Sequence, residues 1–257
     1  MIGVGFRFAF AAAAFFATTA LAQHLDRPDG KTSMHELSNA EPFRFTVHGA
    51  FRRMMHMQDY SPKVPLRSII DSGVTEAVGA AAGLRGEITV IGGKLLLTYG
   101  TPCQACDDPQ DDDATLLATA KVRAWHPPIV LASDLSGKEL DTFIIERATA
   151  LDLSTAKPFP LRITGTLLGV KMHIIRGANP DFNGHGSGHP MAYQQDIIAE
   201  RTDGEVVGFY APDTLRGVVT HPDEPFHFHW VDLERTRTAH LDAFGMAKGA
   251  ILLLPKR

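Results

Sequence analysis

Residues 225–242, "PFHFHWVDLERTRTAHLD", hold two histidines one residue apart and a third eleven positions beyond the second. Side chains two apart on a strand project to one face. His227 and His229 therefore point together, while Phe226, Phe228 and Trp230 point the other way into a core. "VDLERTRT" supplies a polar turn, and His240 returns on the next strand to complete a triangle of imidazoles. Three neutral imidazoles with one position left for water or substrate are a catalytic zinc arrangement. Manganese and iron also accept such a set, so the ligands are better defined than the element. Asp232 and Asp242 are candidate acceptors for the imidazole N–H groups.

Other chemistry-bearing residues read more blandly. Cys103 and Cys106, the only two cysteines, stand in "CQAC" within a loop-like stretch. In an oxidising compartment they form a structural disulfide; a zinc finger needs a second pair. Five aspartates within residues 107–113 lack the spacing of a calcium loop and read as a solvated acidic loop. His185 and His189 lie in the Gly-, Pro- and Asn-rich segment "RGANPDFNGHGSGHPMAY" and read as loop histidines, on a surface loop or a crossing between halves.

The elements that must carry these residues are mostly β. Phe43, Phe45 and Val47 alternate on one face of a strand. A short helix is expected over Leu66–Asp71. "GEITVIGGKLLLTYG" reads as a hairpin turning at Gly92-Gly93. "SGKELDTFIIERA" reads as a helix capped by Ser133, Asp134 or Ser136. "FPLRITGTLLGVKMHII" returns to β-rich sequence, and "EVVGFYAPDTLRGV", "FHFHWVD" and "TAHLDAFGMAKGAILLLP" form an antiparallel unit.

Arg7 followed by "FAFAAAAFFATTALA" and the small-x-small Ala20-Leu21-Ala22 reads as a signal peptide over residues 1–22, which places the protein in the periplasm or outside the cell. Residues 23–40 are polar and read as a flexible segment. No later run is apolar enough to span a membrane. The net charge of −4 and the lack of a basic stripe argue against a nucleic-acid partner. The Phe-rich strands suit a core or a homodimer interface equally.

The chain resembles the alpha-acetolactate decarboxylases over most of residues 65–245. "VGAAAGLRGE" and "GEITVIGGK" are similar to the family's stretch leading into its active-site glutamate. "LRITGTLLGVK" resembles the strand before its catalytic arginine. "GEVVGFYAPDTLRGV" and "FHFHWVDLERTRTAHLDAF" resemble its later segments, the last also in histidine spacing.

The resemblance implies an α/β (α+β) fold in two parts: a mixed N-terminal β-sheet over residues 41–157 and a smaller antiparallel β-rich, metal-binding part over residues 158–257. It implies metal-dependent conversion of 2-acetolactate to acetoin and carbon dioxide, with zinc on His227, His229 and His240 and Glu87 as the acid that handles the proton. "VKMH" puts His173 where the family has its arginine, and Arg176, three residues on, is a second candidate for meeting the substrate's carboxylate. The resemblance also implies a tail carrying a second glutamate, for which "AILLLPKR" has no counterpart. These two departures favour, as alternatives, a secreted zinc enzyme of the same fold acting on another small hydroxy or oxo acid, or a non-catalytic protein that binds a metal or small acid.

Overall fold

The computed structural model describes residues 43–101, 108–184 and 188–256. The stretch read as a signal peptide, the polar segment before residue 41, Cys103, Cys106 and His185 lie outside them. In chain order the elements are β1 (Phe43–His48), α1 (Phe51–Met57), β2 (Val64–Pro65), α2 (Leu66–Asp71), β3 (Glu76–Ala81), β4 (Gly86–Ile91), β5 (Lys94–Tyr99), β6 (Asp113–Val122), β7 (Ile129–Val130), α3 (Gly137–Ala150), β8 (Phe159–Ala178), β9 (Ala192–Tyr210), β10 (Phe226–Val231), β11 (Thr238–Met246) and β12 (Ile251–Leu253).

The first sheet runs β1-β6-β3-β4-β5, with β2 also on β6. Its described pairings are all antiparallel, which corrects the expectation of a mixed sheet. The reason is connection length: β3, β4 and β5 follow one another through turns too short for the crossover that parallel neighbours need. The β4–β5 turn is the two residues Gly92 and Gly93, at φ 59° and 82°, a pair of left-handed positions that glycine fills without strain.

The second sheet runs β11-β10-β9-β8-β12-β7, and β11 also pairs with β8. Strands β8, β9, β10 and β11 thus close into a ring of antiparallel ladders. This sheet is no smaller than the first, and it takes β7 from before residue 157 to flank β12. The segment 179–191 joins β8 to β9 within this sheet, so it is a loop and not a crossing between halves.

Alternation in β4 decides how the sheets meet. Ile88 and Val90 face α2 in a small cluster with Leu66 and Ile69. Ile91 joins the large apolar cluster shared by both sheets. Glu87 and Thr89, on that same face, are buried although polar, at 3% and 0% exposure. The Phe43/Phe45/Val47 face of β1, and Phe226 and Phe228 of β10, are buried in the large cluster too. Helix α3 starts at Ser136, whose backbone N–H donates to the Glu139 carboxylate at 2.8 Å, one half of a capping box.

Candidate metal centre

Antiparallel register builds a row of imidazoles across three strands. His229 of β10 lies directly opposite His240 of β11, and His240 lies opposite His173 of β8. Directly paired residues share a face, so the three rings crowd together. The His240 ring is 5.4 Å from that of His229 and 4.8 Å from that of His173. His227, two residues from His229 on the same strand, brings its ring to 5.0 Å from both His229 and His240. One nitrogen from each of His227, His229 and His240 falls within 4.8 Å of the others.

Hydrogen bonds fix the tautomers. The Nδ1–H of His227 donates to the Val219 carbonyl at 2.8 Å, since a carbonyl only accepts. At His229 a hydroxyl relay gives the same answer. Thr238 Oγ1 donates to the Trp230 carbonyl at 2.9 Å, which leaves that oxygen to accept from Thr89 Oγ1 at 2.6 Å. With its proton so committed, Thr89 Oγ1 accepts from His229 Nδ1–H at 3.0 Å.

Both Nε2 atoms therefore carry bare lone pairs, and they face each other 3.2 Å apart. Two such lone pairs repel unless a cation lies between them. Imidazoles on one tetrahedral zinc, at about 2.0–2.1 Å each, place their nitrogens roughly 3.3–3.4 Å apart. The donor set fits a divalent cation.

Electrostatics keep the ligands neutral. Burial, together with the neighbouring imidazoles, lowers His227 to about 4 and holds His229 and His240 well below the usual histidine range. A neutral ring at neutral pH is the metal-binding form.

Glu87 reaches the centre from the first sheet. Its Oε1 accepts the Ile175 N–H at 3.2 Å, and its Oε2 lies 3.7 Å from His229 Nε2. Burial raises its pKa to about 7, against the opposing pull of His173 and the Ile175 N–H. His173 Nε2 is 3.9 Å from Glu87 Oε1, beyond hydrogen-bond range. On its other side His173 Nδ1 meets both Asp242 oxygens, at 2.8 and 2.9 Å. Desolvation opposes charge on His173, but Asp242 and Glu87 outweigh it and raise the pKa.

These groups line one cavity of about 500 Å³, with Glu87, His173, His227, His240 and Asp242 at its polar end. The sequence-derived residues Glu87, His173, His227, His229 and His240 are thus brought together. Arg176 is not. β8 continues to Ala178, so alternation turns Arg176 to the face opposite His173 and Ile175, which line the cavity, and its own side chain is exposed. Asp232 serves the β10–β11 turn, accepting from the N–H groups of Thr236 and Arg237 at 2.7 and 2.8 Å.

Three participants were not singled out from sequence: Thr89, Thr238 and His221. Thr89 was discoverable, since it stands two residues from Glu87 on the same strand. His221 lines the cavity with its ring 6.1 Å from that of His240, and only tertiary structure brings it there.

Solved structures share this architecture. A Staphylococcus aureus protein of unknown function, described as similar to alpha-acetolactate decarboxylase, matches at 16% identity and TM-score 0.58, over 81% of this chain and 83% of its own. The alpha-acetolactate decarboxylase of Bacillus subtilis matches at 17% identity and TM-score 0.59, over 77% and 80%. That of Bacillus subtilis subspecies spizizenii matches at 16% identity and TM-score 0.60, over 77% and 81%. No curated protein matches the chain in sequence. The model of one family, alpha-acetolactate decarboxylase, matches residues 48–254, nearly the whole of the described structure, and the chain belongs to that family.

Proposed function

We propose that this protein is a metal-dependent decarboxylase that converts 2-acetolactate to acetoin and carbon dioxide. The observation that carries the reading is the placement of Glu87, a buried carboxyl with a pKa of about 7, within 4 Å of both His229 and His173. His227, His229 and His240 would hold the cation, zinc being the first choice and manganese or iron the others. When bound, the cation supplies a Lewis acid for the oxygens of a hydroxy-keto acid.

Decarboxylation breaks the bond from C2 to the carboxylate carbon. The electron pair passes into the neighbouring carbonyl, carbon dioxide departs, and one proton must return to carbon. Glu87 is placed to hold and deliver that proton, and its burial favours the protonated form. His173, pushed toward its charged form by Asp242, offers positive charge to the substrate's carboxylate. Glu87, His227 and His229 are buried, which strengthens the interactions among them.

The test is carbon dioxide release from racemic acetolactate by purified zinc-loaded protein, with His227→Ala abolishing it. Full metal loading with no release above background would overturn the reading and leave a metal or small-acid binding protein. We also propose export, with residues 1–22 removed as a signal peptide; Arg7, the apolar run and Ala20-Leu21-Ala22 support it.

A further inference from the structure

The cavity does not end at the histidines. Beyond His221, whose ring packs 4.1 Å from that of Phe51, it is walled by Phe51, Met54 and Met55 of α1, with Leu116, Phe182 and Met191. This annex is held firmly. Phe51 N–H donates to the Val218 carbonyl at 3.1 Å and Arg52 N–H to that of Gly217 at 2.7 Å. The same segment carries the Val219 carbonyl that fixes His227. At the far end of α1, Gln58 Nε2 donates to the Phe182 carbonyl at 2.9 Å, tying helix and loop into one wall. One backbone segment therefore sets both a ligand's tautomer and the position of the apolar wall.

A cavity of about 500 Å³ is of the size that encloses drug-like ligands, roughly 300–1,000 Å³. An acid the size of acetolactate occupies only the polar end. Methionines beside aromatic rings make a wall that adapts to varied apolar shapes. Resting on the decarboxylase reading above, we infer that the substrates this chain prefers are 2-hydroxy-3-oxo acids whose C2 substituent is larger than methyl, a branched alkyl or an aryl group that fills the annex between α1 and Phe182. The reaction balances as before: carbon dioxide leaves, and a proton takes its place on C2.

The experiment uses the full zinc-loaded protein and a series of 2-hydroxy-3-oxo acids with methyl, propyl, isobutyl and benzyl groups at C2. kcat/KM for carbon dioxide release should rise by about fourfold for each methylene buried until the annex is full. A series that is flat, or falls with size while acetolactate turns over, would overturn the inference. Met54→Trp, which fills the annex, should lower the ratio of benzyl to methyl kcat/KM by at least about tenfold. An unchanged ratio in a folded variant counts against it.

If no member releases carbon dioxide, the decarboxylase reading fails and the annex is judged by binding alone. Calorimetry with unreactive 2-alkyl-2-hydroxy acids that lack the ketone should then show affinity rising with alkyl size. Affinity independent of size would overturn the annex as well.

Discussion

The Thr89 hydroxyl, on one sheet, accepts the Nδ1 proton of His229, on the other, at 3.0 Å. The bond crosses the interface between the sheets and sets which nitrogen of His229 is free. Removing it without changing shape, by Thr89→Val, should weaken zinc binding by about 10–100-fold, the usual loss when the partner behind a ligating histidine is removed. Thr89→Ser should retain most of the affinity. Zinc titration against a competing chelator reads both.

Glu87→Gln should leave zinc bound and lower kcat by about 10²–10⁴-fold, the range of general acid–base catalysis. The same residue shapes the stability of zinc-stripped protein. Its folded pKa of about 7 lies above the ordinary 4.5, so between these values the folded state binds more protons than the unfolded state. Stability contributed at this site is therefore present at low pH and declines as pH rises toward 7. Melting temperatures of stripped wild type should fall relative to those of Glu87→Gln across that window.

Asp242→Asn removes the carboxylate that favours charge on His173. The imidazole should then be mostly neutral near pH 7, and KM for the anionic substrate should rise on the order of tenfold, the worth of a hydrogen bond to a charged group. Zinc affinity should be nearly unchanged. Parallel steady-state kinetics and metal titration separate the two effects.

Asp59 fastens the end of α1. It accepts from Lys63 Nζ at 2.8 Å, Ser61 Oγ at 2.6 Å and Arg53 Nη2 at 3.1 Å. Burial pushes its pKa up, but these hydrogen bonds prevail and hold it well below the usual carboxylate range. A depressed pKa contributes stability above the unfolded value and loses it as pH falls. Asp59→Asn should cost roughly 2 kcal/mol at neutral pH, and the difference from wild type should shrink below about pH 4. Denaturant midpoints across pH report this.

Local pattern made much of this architecture legible. Gly92-Gly93 marks its hairpin, the cluster of Ser133, Asp134 and Ser136 marks a helix start, and HxH followed by a third histidine marks the ligand strands. The parity rule also separated His227 and His229 from Phe226 and Phe228. Relations between distant segments were not legible. Nothing in "GEITV" says that Thr89 will meet His229, 140 positions away, and nothing in "RGVVTHP" says that His221 will stand between a histidine and Phe51. Arg176 was placed near the site because the end of β8 was not marked in the sequence. Once β8 is seen to run to Ala178, alternation puts that side chain on the face opposite His173 and Ile175.

All three proposed zinc ligands belong to the β10–β11 hairpin, within fourteen consecutive residues. Glu87 and His173 arrive from strands far away in the chain. Cation capture is thus a local event in the assembly of the polypeptide, whereas catalytic competence waits for the sheets to dock. Lesions that spoil docking should cost the zinc affinity that the Thr89 hydroxyl lends His229, about 10–100-fold, yet leave protein that fills at saturating zinc and stays inert, so zinc content there is a poor proxy for activity.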